Sequence, residues 1–123
     1  MIGGCFMYEI KEIILKNGPL ERKRLVIEFS DRNKQIVGEF LMTDVNLVDR
    51  KIVQDIENVL SGKIKEVEFS GNRCYVKVKP DITYLEDLYE EVEGMISYAP
   101  YEINTKELLE MIDIWLDRLD ALQ

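Results

Sequence analysis

The apolar residues of this chain keep two rhythms: mostly a period of two in the first eighty residues, and a period near 3.6 at the end. Phe6, Tyr8 and Ile10 alternate with Met7, Glu9 and Lys11, which predicts a strand to about Lys16, where Asn17-Gly18-Pro19 turns the chain. Leu25, Ile27 and Phe29 alternate with Val26 and Glu28, a polar turn follows at Ser30-Asp31-Arg32-Asn33, and Ile36, Gly38, Phe40 and Met42 resume the alternation. Strands two and three are therefore expected to form a hairpin. From Val45 the spacing changes. Val45, Val48, Ile52, Ile56, Val59 and Leu60 share one helical face, with Asp44 or Asn46 as cap and Gly62 as stop, so a helix is expected over about 47–61.

Residues 63–79 predict a second hairpin around a two-residue Gly71-Asn72 turn, with Ser70 opposite Arg73, Phe69 opposite Cys74 and Val67 opposite Val76. One face is then Val67, Phe69, Cys74 and Val76; the other pairs Glu66 with Lys77 and Glu68 with Tyr75, a wet face. Pro80-Asp81 ends this sheet. An acidic, tyrosine-bearing connection is expected over 81–103, with a helical turn or two at Leu85, Leu88 and Val92. The last element is a helix over 104–122, in which Leu108, Ile112, Trp115, Leu119 and Leu122 stack into one apolar stripe. Asn104 is placed to cap it, Glu107 to reach back, and Ile103 to staple against Leu108. The expected fold is a single α+β domain over 1–123. It has an antiparallel sheet of about five strands, in the order β-β-β-α-β-β-loop-α, with two main helices packed on one face.

Charge adds what periodicity does not. The 123 residues carry a net charge of −8. Residues 1–80 hold fourteen Lys and Arg against twelve Asp and Glu, net +2, whereas residues 81–123 hold two against twelve, net −10. Such a field repels nucleic acid and anionic membranes and attracts basic surfaces. The short run Glu21-Arg22-Lys23-Arg24 reads as solvated surface. There is no histidine, which removes the commonest general base and most zinc sites. Neither a calcium loop nor a phosphate loop occurs, so no enzyme activity, cofactor or metal is expected. Cys5 and Cys74 make no disulfide framework or zinc pattern, and Cys74 reads as a small buried hydrophobe. Ile2-Gly3-Gly4-Cys5 has the look of a lipoprotein box, but no charged n-region or apolar h-region precedes it, and that reading is set aside; two cysteines without a disulfide framework fit a reducing cytoplasm.

Two sets of residues are candidates for partner binding. In the connection Tyr84, Tyr89, Tyr98 and Tyr101 interleave with Glu86, Asp87, Glu90, Glu91 and Glu93; tyrosine supplies rigid contact area, and acids around it select a cationic partner. On the last helix Glu110, Asp113, Asp117 and Asp120 form an acidic ridge behind the apolar stripe. Local energetics do not favour that ridge. The i,i+4 pair of Asp113 and Asp117 costs roughly 0.2–0.5 kcal/mol, and acids near a helix C-terminus cost roughly 0.3–1 kcal/mol each. Either set has a plainer reading, a solvated face for the ridge and loop packing for the rings. A basic protein partner is expected, with no direct nucleic acid, no membrane, and a monomer or weak homodimer.

The layout, together with the segment Glu102-Ile103-Asn104-Thr105-Lys106-Glu107-Leu108 through Asp113-Ile114-Trp115-Leu116-Asp117-Arg118-Leu119, resembles small bacterial immunity proteins of polymorphic-toxin and contact-dependent-inhibition systems. The resemblance implies a single-domain cytoplasmic inhibitor that binds one cognate toxin domain, often a basic nuclease, and covers its active site or substrate channel. Two alternatives stay open: a non-toxin adaptor or assembly subunit, and a small-ligand-binding domain.

Overall fold

The computed structural model describes residues 8–48, 50–89 and 96–122. Phe6, Met7 and Cys5 lie outside them, as do Glu90, Glu91, Val92 and Glu93 of the connection. The architecture is α+β with two antiparallel sheets. β1 (Tyr8–Asn17) and β2 (Leu20–Phe29) form a two-stranded sheet; β3 (Val67–Ser70), β4 (Cys74–Val78), β5 (Ile82–Asp87) and β6 (Tyr101–Asn104) form a four-stranded one in that order. Among the described residues no helix is long and apolar enough to cross a membrane.

The first hairpin is β1 with β2, so the strand expected over 36–42 is not one. That segment is helical: a 3-10 turn at Arg32–Lys34 leads into α1 (Gln35–Glu39), a π-helical stretch Phe40–Val45, and α2 (Asn46–Val48). Alternation at 36, 38, 40 and 42 hid a second pattern. Ile36, Val37, Phe40, Leu41 and Val45 are all fully buried, and only a helix puts i, i+1, i+4, i+5 and i+9 on one side. Asp31 starts the turn by accepting from Asn33 N at 2.9 Å. The helix expected over about 47–61 is likewise shorter, α3 (Lys51–Leu60). Neither proposed cap serves: Asp44 reaches into the β3–β4 turn, and Asn46 Oδ1 accepts from Trp115 Nε1 at 2.8 Å.

The β3–β4 hairpin keeps its expected faces but not its register. Phe69 stands opposite Val76 and Ser70 opposite Tyr75, two positions from the prediction. Side chains alternate with period two, so a slip of two leaves each on its own face. Even the expected cross-strand contacts survive as diagonals, Lys77 Nζ to Glu66 at 3.5 Å and Tyr75 to Glu68. Asp44, 1% exposed, imposes the wider turn by accepting from the backbone N–H of Asn72, Arg73 and Cys74.

Past Pro80 the expected connection contains two strands. β5 was hidden because two of its three inward residues are polar, Thr83 and Asp87 beside Leu85. Thr83 is fully buried and satisfied by Thr105 Oγ1 at 2.8 Å. α4 (Thr105–Asp120) begins where Asn104 Oδ1 accepts from Glu107 N at 3.0 Å. Glu107 does not reach back; its carboxylate bonds Lys34 Nζ at 2.7 Å. One hydrophobic cluster joins the base of the first hairpin, α1, α3, the inner face of the second sheet and α4, with Trp115 its largest fully buried side chain.

Candidate functional site

The structure sorts the candidate residues into three places. Along β5 the side chains alternate, so Leu85 points into the core while Tyr84 and Glu86 point to the opposite face of the four-stranded sheet. Register brings Tyr75 of β4 beside them, together with Glu68, Lys77 and Glu102. The rings of Tyr75 and Tyr84 meet edge to face at 6.3 Å. Each hydroxyl is held by an acid: Tyr75 donates to Glu68, and Tyr84 to Glu86 at 2.7 Å. Those hydrogen bonds are the main reason the Tyr75 phenol is pushed up to about 12 and the Tyr84 phenol is also raised, since losing the proton would set two anions together. Rings so fixed contribute contact area at low entropic cost. Tyr75, Glu68 and Glu102 were missed in the sequence because they lie on three strands; the wet-face pairing of Glu68 with Tyr75 was the available sign.

The second place is a clasp. Arg73 Nε and Nη2 donate to both carboxylate oxygens of Asp87 at 2.9 and 3.0 Å, and the guanidinium also reaches Glu39 at 3.3 Å and the carbonyl of Ile96 at 3.0 Å. Tyr89 stacks on it at 4.2 Å, with Tyr98 at 5.7 Å. Asp87 also accepts from the backbone N–H of Tyr89 and Tyr98, at 3.0 and 2.8 Å. Its side chain is 1% exposed. Burial alone would raise its pKa, but the Arg73 and backbone hydrogen bonds outweigh it and hold the carboxyl below its ordinary value. Asp87 therefore pins both ends of the connection and has no oxygen left for a partner. Tyr101 packs at the margin of the core.

The third place is α4. Its buried residues Leu108, Ile112, Trp115 and Leu116 face the core, so Glu110, Asp113, Asp117 and Asp120 look outward on the side of the molecule away from Tyr84 and Glu86. Arg50 bonds Asp120 at 2.6 Å and lies 3.7 Å from Asp117. Glu110 and Asp113 have no cation against them among the described residues. The two candidate sets thus stand on different sides of the molecule. No group of three acidic or cysteine side chains gathers as a metal site among the described residues. Cys74 is fully buried, and burial pushes its thiol up to about 12; the folded protein at pH 8 should leave Cys74 unmodified by iodoacetamide, as intact-mass measurement of a Cys5→Ser variant would show, with labelling only after denaturation.

Tyrosine rings are enriched in faces that bind other proteins, and acids beside them favour a cationic partner. Over 106 residues the chain is 32% identical to a Bacillus cereus protein named "Immunity protein", an alignment covering 85% of this chain and 82% of that one. The chain belongs to the family of that immunity protein. No protein-family model matches the sequence, and no solved structure matches it.

Proposed function

We propose that this chain is an inhibitor that binds and neutralises one cognate toxin domain of basic surface, a nuclease as the resemblance to immunity proteins implies, through the outer face of its four-stranded sheet. The observation that carries the reading is the Tyr75–Tyr84 ring pair with Glu68, Glu86 and Glu102 around it, on a face that no helix of the described residues covers. Kinship with an immunity protein supports it. In this reading Tyr84 and Glu86 are contact residues, and Asp87, Tyr89 and Tyr98 hold the connection in place. Glu90, Glu91 and Glu93 belong to the binding set by their charge alone. Glu110, Asp113, Asp117 and Asp120 steer the partner from a distance; such fields raise association towards roughly 10⁸ M⁻¹s⁻¹ at low salt.

The test is growth rescue and binding kinetics against the cognate toxin domain. Tyr75→Ala with Tyr84→Ala should abolish rescue and weaken binding by at least about thirtyfold, mainly through faster dissociation. Asp113→Lys with Asp117→Lys should slow association and flatten its salt dependence while leaving dissociation unchanged. Undiminished rescue by the double tyrosine variant would place the interface elsewhere.

A further inference from the structure

The β1–β2 hairpin is an arm. Only its base is buried, at Leu25, Ile27 and Phe29; residues 12–24 are exposed throughout, and they carry Ile13, Ile14, Leu15 and Leu20 at 37%, 56%, 44% and 67% exposure. Among the described residues the arm pairs with no further strand. A two-stranded ribbon is only marginally stable in water, and an unpaired apolar edge is a template for another strand.

We propose that the β1 edge pairs antiparallel with the β1 edge of a second copy of this chain, centred on Ile14, joining two arms into one four-stranded sheet. This goes beyond the inhibitor reading and does not rest on it. The strand is self-complementary in that register: Ile14 meets Ile14 of the second copy, Ile13 meets Leu15, and Glu12 meets Lys16, each cross pair occurring twice by symmetry. Antiparallel pairing about a two-fold axis brings residues of the same face opposite one another, and the nearby registers are poorer. Centring on Glu12 opposes two carboxylates, and centring on Ile13 sets Ile10 against Lys16. The backbone is oriented for it. Asn17 pairs with Leu20 across a two-residue turn with Gly18 at φ +63°, as at the first central position of a type II′ turn. The closing pair of such a turn is hydrogen-bonded, so alternation turns the N–H and C=O groups of Glu12, Ile14 and Lys16 outward.

The test uses the full chain. Sedimentation over about a hundredfold dilution should show the average mass fall from two chains to one, whereas Ile14→Pro, which removes only an outward N–H, should stay at one chain with its circular dichroism unchanged. In a Cys5→Ser background, Ile14→Cys should form an intermolecular disulfide under mild oxidation, because a hydrogen-bonded pair places its Cα atoms about 5.5 Å apart. Glu12→Cys, staggered from its own copy by roughly 13 Å, should cross-link at least about tenfold more slowly. A single chain at every concentration, a dimer that survives Ile14→Pro, or equal cross-linking at both positions would each overturn the proposal.

Discussion

Replacing Arg73 with Ala is expected to lower the unfolding free energy by about 3–5 kcal/mol, the cost of breaking a buried ion pair by removing one partner. Arg73 is 9% exposed and Asp87 is left with no cation once it goes. Two ring faces and the Ile96 carbonyl lose their contact as well. The loss depends on pH in a set direction. Asp87 in the intact protein titrates below its ordinary 3.8, so the stability it contributes is complete above about that pH and disappears as acid protonates the folded form. In the variant, burial without Arg73 pushes the same carboxyl up, and acid relieves the unpaired charge. The gap between wild type and Arg73→Ala should therefore be widest at neutral pH and narrow below about pH 4. Urea denaturation at neutral pH and near pH 3 reads it directly; a gap independent of pH would mean that Asp87 is not the residue left stranded.

Asp44→Ala is expected to cost about 3 kcal/mol, because it strands the buried N–H groups of Arg73 and Cys74 and leaves that of Asn72 without its acceptor. Gly71→Ala should be severe as well: a Cβ there would fall 2.3 Å from the Asp44 carboxyl carbon, so the turn or the carboxylate must move. The two changes are coupled. In the Asp44→Ala background the obstacle is gone, and adding Gly71→Ala should cost much less than it does alone. A double-mutant cycle by thermal or urea denaturation measures the difference, and simple additivity would show that the carboxylate does not shape the turn.

These two clusters explain which parts of the structure could be read in the sequence. Around α4 the apolar stripe and the Asn104 cap lie within one element, and the hairpin of β3 and β4 shows its faces through alternation. Neither needs a distant residue to be seen. β5 does, because its inward Thr83 and Asp87 look like surface until Thr105 and Arg73 are brought against them, 22 and 14 residues away. The turn at 71–74 depends on a carboxylate 28 to 30 residues earlier. Residues 36–42 satisfied both periods, and the choice fell to the helix because it buries Val37 and Leu41 along with Ile36 and Phe40.

The candidate surface divides in the same way. By itself the sequence determined the α+β class, the faces of β3, β4 and α4, and a net charge of −10 in residues 81–123, since each is a sum or a local spacing. Only the tertiary structure decided where that charge stands. Packing α4 on the inner side of the four-stranded sheet sends Asp113 and Asp117 one way and Tyr84 and Glu86 the other, and the approach of Arg73 withdraws Asp87 from solvent. The direction of a side chain relative to residues far away in the chain is set by which elements pack together, and periodicity along one element does not carry that information.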